Sequence, residues 1–253
     1  MVQRSARLDA ILERLANGGS VAVGELADEL HVSSGTIRRD LAMLAQQRLL
    51  ARTHGGAVAH SVSYELPLRY KSVRHADEKR RIAREAAHRA AEGMAVGLTG
   101  GTTATAVASA LAGQKGLTIV TNALNIASEL AIRPNLRLLV TGGLVRSKSY
   151  ELSGPAAEAT LAPLNLDVAF IGVDGIEARA GCTTYEEVEA HTNNVMAEHA
   201  RHVIVVADSS KVGKIAFARI CAISAVDELI TDHAAHGTAI DAITEAGVRV
   251  TYV

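Results

Sequence analysis

The sequence predicts an α/β chain in two parts: an amino-terminal module of short helices closed by a hairpin, then a larger domain on a mostly parallel sheet. Three observations lead there. Up to about residue 46, leucines and isoleucines recur at helical spacing, and a glycine-bearing hairpin pattern follows. From Met94 onward, short and nearly all-apolar runs alternate with helical stretches, the pattern of strands covered on both faces. At 253 residues and 48 % hydrophobic residues, the chain has material for two cores, which excludes wholesale disorder.

The first helix is expected over residues 5–17, where Leu8, Ile11, Leu12 and Leu15 share one face and Asn17-Gly18-Gly19 ends it. Val21-Ala22-Val23 is long enough only for an edge strand. Glu25 to Leu30 makes a second helix with Leu26, Ala27 and Leu30 inward, and His31-Val32-Ser33 a short connection. Ser33 or Ser34 can cap the next helix, in which Ile37, Leu41 and Leu44 form an apolar stripe. Arg38 and Arg39 then point roughly 100° and 200° away from that stripe. Leu49 to Thr53 and Ala57 to Ala59 can pair across His54-Gly55-Gly56 as a wing. Two short helices joined by a three-residue turn, with guanidinium groups near the start of the second, have helix-turn-helix geometry. Ser34, Thr36, Arg38 and Arg39 on that helix, with Arg52 and His54 on the wing, are the candidate DNA contacts. Arginine there can bond guanine edges or phosphates, and the wing adds affinity more than base discrimination.

Global charge neither demands nor forbids this. The formal net charge is −1, and residues 1–60 hold seven Arg or Lys against six Asp or Glu, so DNA affinity has to come from local clustering. Cys182 and Cys221 lie far apart and match no zinc or CxxC spacing, so no metal and no cofactor are expected. No run of about 18 residues is apolar and uncharged, and no signal-peptide core is present. The expectation is a soluble cytoplasmic protein without a membrane partner.

From His60 to about Arg74 periodicity is poor, and residues 60–76 are assigned to a linker between a 1–59 module and a 77–253 domain. A helix is expected from Asp77 to Ala91 with Ile82, Ala83, Ala86 and Ala87 inward. Its Lys79-Arg80-Arg81 run reads as a solvated face, with contact to flanking phosphates as the alternative.

In the second domain, strands are expected at Ala95–Thr99, Leu117–Thr121, Leu136–Thr141, Val168–Val173, His202–Ala207, Glu228–Thr231 and Val248–Tyr252. Ligands of such sheets bind beyond the carboxyl ends of the strands. The first end leads through Gly100-Gly101-Thr102-Thr103 into a helix; its amides and hydroxyls suit an anion, although the same turn serves structure alone. The second supplies Thr121-Asn122 and the third Thr141-Gly142-Gly143. Past the fourth stands Asp174, which can accept bonds from sugar hydroxyls, act as a base or cap a turn. Past the fifth, Ala207-Asp208-Ser209-Ser210-Lys211 presents one lysine. Should these ends converge, phosphate donors would face hydroxyl acceptors, the polarity of a phosphorylated sugar.

TIRRDL followed by a wing containing RTHGGA resembles the DeoR family of bacterial transcriptional regulators. One departure is Gln47-Arg48, where many members have a glycine before the wing. The resemblance continues through GGTTAT, TNALNIA, VTGG, SGPAAE, FIGVDGI and ADSSKVGK, which occur in the order of that family's effector domain. It implies a winged helix-turn-helix domain joined to a ribose-5-phosphate-isomerase-like sensor domain, with Thr36, Arg38 and Arg39 reading DNA. It implies that Gly101, Thr102, Thr103 and Lys211 hold a phosphate while Asn122 and Asp174 lie along the sugar. A second departure is Thr184-Tyr185-Glu186, where many members carry Thr-Pro-Asn.

The function expected is a repressor of a carbohydrate-metabolism operon, not an enzyme, whose operator binding responds to a sugar phosphate. Its partners would be operator DNA, the effector and further copies in a homodimer or homotetramer, and when DNA-bound it would sit at the bacterial nucleoid. The alternative is a sugar-phosphate isomerase or deaminase with an appended DNA-binding module, using Asp174 with Glu186 or Glu187 as acid and base. Against it, the deaminases have a histidine after their Asp-Gly where this chain has Ile176. A third reading gives the large domain oligomerisation alone.

Overall fold

The computed structural model describes residues 4–46, 49–58, 67–72 and 74–253. The Gln47-Arg48 departure, Ala59 of the wing and residues 60–66 of the expected linker lie outside the described residues. The chain forms two compact units, Met1–Leu66 and Pro67–Val253.

In the first unit, α1 (Arg4–Gly18), α2 (Val23–Glu29) and α3 (Ser34–Gln46) surround a core of Leu8, Ile11, Leu12, Leu15, Leu26, Ile37, Leu41 and Leu44. Gly19 ends α1 at φ 70°, in the left-handed region that glycine enters at no steric cost. The strands β1 (Ser20–Ala22), β2 (Ala51–Arg52) and β3 (Gly56–Val58) pair antiparallel in the order β1-β3-β2. The wing is thus shorter than the sequence suggests, because Leu49 and Leu50 turn into the core instead of extending the strand. Gly56 has no positive φ; it is required because a Cβ there would collide with the Val21 carbonyl on the neighbouring strand. Beneath the helices Arg7 donates to Asp40 at 2.6 Å, with both side chains buried.

The second unit opens with α4 (Leu68–Lys71), inside the stretch that the sequence assigns to the linker, followed by α5 (Ala76–Ala87). Then come β4 (Ala95–Leu98), α6 (Thr102–Leu111), β5 (Thr118–Thr121), α7 (Leu124–Leu130) and β6 (Arg137–Val140). A two-stranded ribbon, β7 (Leu144–Val145) and β8 (Leu152–Ser153), leads to α8 (Pro155–Leu161) and β9 (Val168–Ile171). The remaining elements are β10 (Gly175–Glu177), β11 (Gly181–Thr184), α9 (Glu187–Glu198), β12 (Val203–Val206), β13 (Ala218–Cys221), β14 (Glu228–Thr231), α10 (Thr238–Glu245) and β15 (Arg249–Tyr252).

All seven strands expected from the apolar runs join one parallel sheet in the order β15-β14-β12-β9-β4-β5-β6. Alternation divides their side chains between two cores. Val96, Leu98, Val168 and Phe170 pack under α5, α6 and α7, while Ala169, Ile171 and Val205 pack under α8, α9 and α10. The order runs outward in both directions from β4 and β9, so the connection reverses between them and leaves a crevice at their carboxyl ends. A small antiparallel sheet, β10-β11-β13, was not foreseen, because its short strands mix Gly, Thr and Cys without a long apolar run. It places Cys182 opposite Cys221 as free thiols. No described helix is long and apolar enough to cross a membrane.

Replacing Asp40 with Ala removes the buried carboxylate to which Arg7 donates. A loss of about 3–5 kcal/mol in the stability of the first unit is expected, read by denaturant unfolding followed by circular dichroism.

Candidate functional site

Helix α3 begins where Ser33 caps it: the Thr36 amide donates to Ser33 Oγ at 3.2 Å, and the two hydroxyls share a hydrogen bond at 3.0 Å. That cap sets the phase of the helix. Ile37, Leu41 and Leu44 face the core, while Arg38 and Arg39 are exposed, and Arg39 Nε donates back to the Gly35 carbonyl at 3.3 Å. Ser34 and Thr36 are half-buried. The wing brings Arg52 and His54 to the same side as Arg38, around a shallow cavity of about 60 Å³ floored by Leu41 and Gly56. Three of the six candidate DNA contacts are thereby assembled on one rim, with Arg39 exposed on the next position of the helix. Such a rim can neutralise phosphates and reach base edges.

In the second unit the crevice between β4 and β9 is drawn tight. The Gly172 amide donates to Thr99 Oγ1 at 2.9 Å, and a Cβ on Gly172 would stand 2.5 Å from the Gly100 carbonyl. Gly101 takes φ 108° and precedes α6, whose first amides have no carbonyl partner within the helix. Thr102 is half-buried at the start of that turn, Thr103 is buried, and Thr105 Oγ1 ties the turn to the Gly101 carbonyl at 2.8 Å. This is an anion-compatible helix start at a topological switch point.

Asp174 follows β9 and is the hub of the crevice. Its Oδ1 accepts from Lys71 at 2.9 Å and from Lys211 at 3.5 Å, and its Oδ2 accepts from Thr184 at 3.2 Å. Burial pushes its carboxyl up, but the charges of Lys71 and Lys211, with the bonds from Lys71 and Thr184, outweigh burial and hold it below the ordinary range. Lys79, expected in solvent, is buried; its ammonium donates to the Lys71 carbonyl at 2.9 Å and lies 3.9 Å from Asp208. Burial lowers its pKa to about 8, Asp208 opposes the shift, and Lys211, Arg74 and Lys71 add to it. Burial and the nearby Lys211 and Arg74 also lower Lys214. Lys71, Arg74, Lys79, Lys211 and Lys214 thus feel one another electrostatically, with Asp174 and Asp208 among them. Cations outnumber carboxylates, and the surplus favours an anion.

Asn122 lies beneath the strand end of β5. It is fully buried, its amide donating to Glu151 at 3.2 Å and to Asn193 at 3.0 Å, and its Oδ1 has no hydrogen-bond partner. Asn193 also donates to Glu151, at 3.0 Å, and the Glu151 side chain lies against Gly100, where a Cβ would meet its carboxyl group. Glu151 therefore stands between Asn122 and the Gly100–Thr103 turn. Burial and the charge of Glu189 raise its pKa to about 8, against the bonds from Asn193 and Asn122. Glu189 is buried in turn, accepting from Ser149 and pairing with Arg146 at 3.3 Å, while Glu186 faces Arg146 at 3.4 Å.

The residues that the sequence reading missed are Lys71, Lys79, Glu151, Glu189 and Asn193. For Lys79 a signal existed: it stands three, four and seven positions before Ile82, Ala83 and Ala86, on the apolar face of its helix. For Glu151 and Asn193, 42 residues apart, no local pattern does so.

A winged helix-turn-helix and a doubly wound sheet with a cation-rich crevice together define a two-module regulator, one unit reading DNA and one sensing a ligand. Residues 7–62 match the DeoR-like helix-turn-helix domain, and residues 74–233 match the DeoR C terminal sensor domain. The chain is 33 % identical over 231 residues to the glycerol-3-phosphate regulon repressor of Escherichia coli, covering 91 % of this chain and 92 % of that protein. It is 34 % identical over 252 residues to a putative aga operon transcriptional repressor of Escherichia coli O157:H7, covering 98 % and 94 %. It belongs to the DeoR family of transcriptional regulators. Among solved structures, ribose 5-phosphate isomerase A from Methanocaldococcus jannaschii aligns with 54 % of each chain at 20 % identity and a TM-score of 0.41.

Glu151 gives the second unit a pH signature. Its folded pKa of about 8 lies above the ordinary 4.5, so its contribution to stability is full below pH 4.5 and is lost as pH rises through about 8. Unfolding measured from pH 5 to 8.5 should show stability falling with a slope of at most about 1.4 kcal/mol per pH unit, and Glu151→Gln should flatten it.

Proposed function

We propose that this regulator is a repressor of a carbohydrate-metabolism operon whose operator affinity is set by a sugar phosphate bound in the crevice between β4 and β9. One observation carries the reading: the fold gathers Asp174 and Lys211 from separate strand ends at the switch point that also holds the Gly101–Thr103 turn. The turn and Lys211 would take the phosphate, and Asp174 with Glu151 would take hydroxyls, Asn122 acting from behind Glu151. The glycerol-3-phosphate named for one relative belongs to the same chemical class. Arg38 and Arg39, supported by Thr36 and Ser34, would read the operator while Arg52 and His54 hold the backbone. A helix-turn-helix reader engages two half-sites through symmetry, so we assign a homodimer or homotetramer working at the nucleoid. Differential effector binding of about 1–3 kcal/mol would change operator affinity roughly 5- to 150-fold.

Binding without turnover suits this crevice better than catalysis. Asp174 is held as an anion by two lysines and a threonine, which makes it a weak base, and Glu186 is engaged by Arg146. Ile176, at the position where the deaminases carry histidine, is fully buried and offers no proton.

Arg38→Ala and Arg39→Ala should each weaken operator binding by ~1–3 kcal/mol in fluorescence anisotropy while leaving effector binding intact. Normal operator affinity in both refutes the reader assignment. In thermal unfolding against sugar phosphates paired with their parent sugars, one phosphate ester at 100 times its dissociation constant should add about 2.7 kcal/mol to the stability of the second unit. Thr102→Val with Lys211→Ala should abolish that shift and spare DNA binding. A flat panel returns the chain to constitutive DNA binding.

A further inference from the structure

We propose that Lys71 is the residue through which a ligand at Asp174 acts on the chain leading to the reader, because the ammonium and a ligand hydroxyl compete for the same carboxylate. The inference rests on the sugar-phosphate reading of the crevice. Lys71 is the last residue of α4, which begins one residue after Pro67, the first residue of the second unit. In chain order, whatever fixes α4 fixes the end of the segment that joins the units. A helix of four residues cannot hold itself and depends on its contacts. Among these, the Leu68 amide donates to the Lys148 carbonyl at 2.7 Å, Lys79 donates to the Lys71 carbonyl at 2.9 Å, and Lys71 Nζ reaches Asp174 at 2.9 Å. The side chains of that last pair are 19 % and 12 % exposed, so it is sheltered from the screening that weakens surface pairs. It spans 103 residues of sequence and links α4 directly to the hub of the crevice.

The capacity of Asp174 sets the competition. A carboxylate offers about four acceptor sites, and three donors already occupy this one. Two adjacent sugar hydroxyls therefore need a site that a donor now holds. Thr184 is built into β11, and Lys211 stays to neutralise the phosphate. Lys71 carries its charge on a flexible stem, and its ammonium also lies 5.5 Å from the centre of the Tyr185 ring, which can keep hold of it away from Asp174. Ligand entry thus releases the side-chain bond that links α4 to Asp174.

The test uses the full chain, Lys71→Gln and Lys71→Arg. Without ligand, hydrogen exchange of residues 67–72 should quicken about tenfold in Lys71→Gln and return towards wild type in Lys71→Arg. Calorimetry with glycerol 3-phosphate, ribose 5-phosphate and other phosphates of the thermal panel should show the active compound binding Lys71→Gln more tightly than wild type, since a competitor is gone. The same compound should change operator affinity less in that variant, as the loss of a coupling element requires. Unchanged exchange overturns the proposal, as does an undiminished operator response. Weaker binding to Lys71→Gln also overturns it, by making Lys71 a direct ligand contact. If no phosphate binds the wild-type chain, the sugar-phosphate reading fails and the competition fails with it; failure of the exchange measurement alone removes only the role of Lys71.

Discussion

The sensor depends on the abutment of two parallel strand ends. Where β4 and β9 lie side by side, the Gly172 amide bonds to Thr99 and its α-carbon presses on the Gly100 carbonyl at a distance that admits no side chain. Because the chain winds outward from this pair in both directions, no helix connection covers the gap above it. The carboxyl-end loops therefore face one crevice, and the glycine turn before α6 stands two residues past one strand while Asp174 stands three past the other. Both cores exist to hold that junction rigid: alternate residues of each strand feed opposite faces, so the strands cannot slide without exposing apolar side chains.

Charge in the crevice is arranged by burial as much as by sequence. Five basic side chains sense one another there; three come from the beginning of the unit, and of these Lys71 is tied to Asp174 while Lys79 bonds the Lys71 carbonyl and lies near Asp208. Glu151, which lies against Gly100, and Glu189 are both buried, and burial with the charge of Glu189 raises the Glu151 pKa to about 8.

In the reader the governing device is the cap. Ser33 sets the start of α3, the apolar stripe sets its roll, and Arg38 is then presented beside the wing without any charged residue having to direct it. The Arg7–Asp40 pair stiffens the inner side of the same helix, so the basic outer face rests on a support that is itself polar and specific.

How much was legible follows from how far apart the causes lie. The helix-turn-helix, the wing and the seven apolar strands were readable because periodicity and turn residues act over a few positions, and a strand buried on both faces has to be apolar along its length. The glycine turn, Asp174 and Lys211 were readable as strand-end residues for the same reason. Which ends meet was not, since the crevice forms where β4 pairs with β9, a strand that follows it only after two further strands of the sheet. Nor were the contacts of Lys71 with Asp174 or of Asn193 with Glu151, for these side chains owe their roles to neighbours from distant segments, whereas the inward turn of Lys79 follows from its place on the apolar face of α5. The sequence by itself determined the two modules, their elements and the residue types at the strand ends, all consequences of local backbone preference and hydrophobic pattern. Only the tertiary structure decided which charges face one another, because electrostatic interaction depends on distance in space and the chain acquires those distances when it folds.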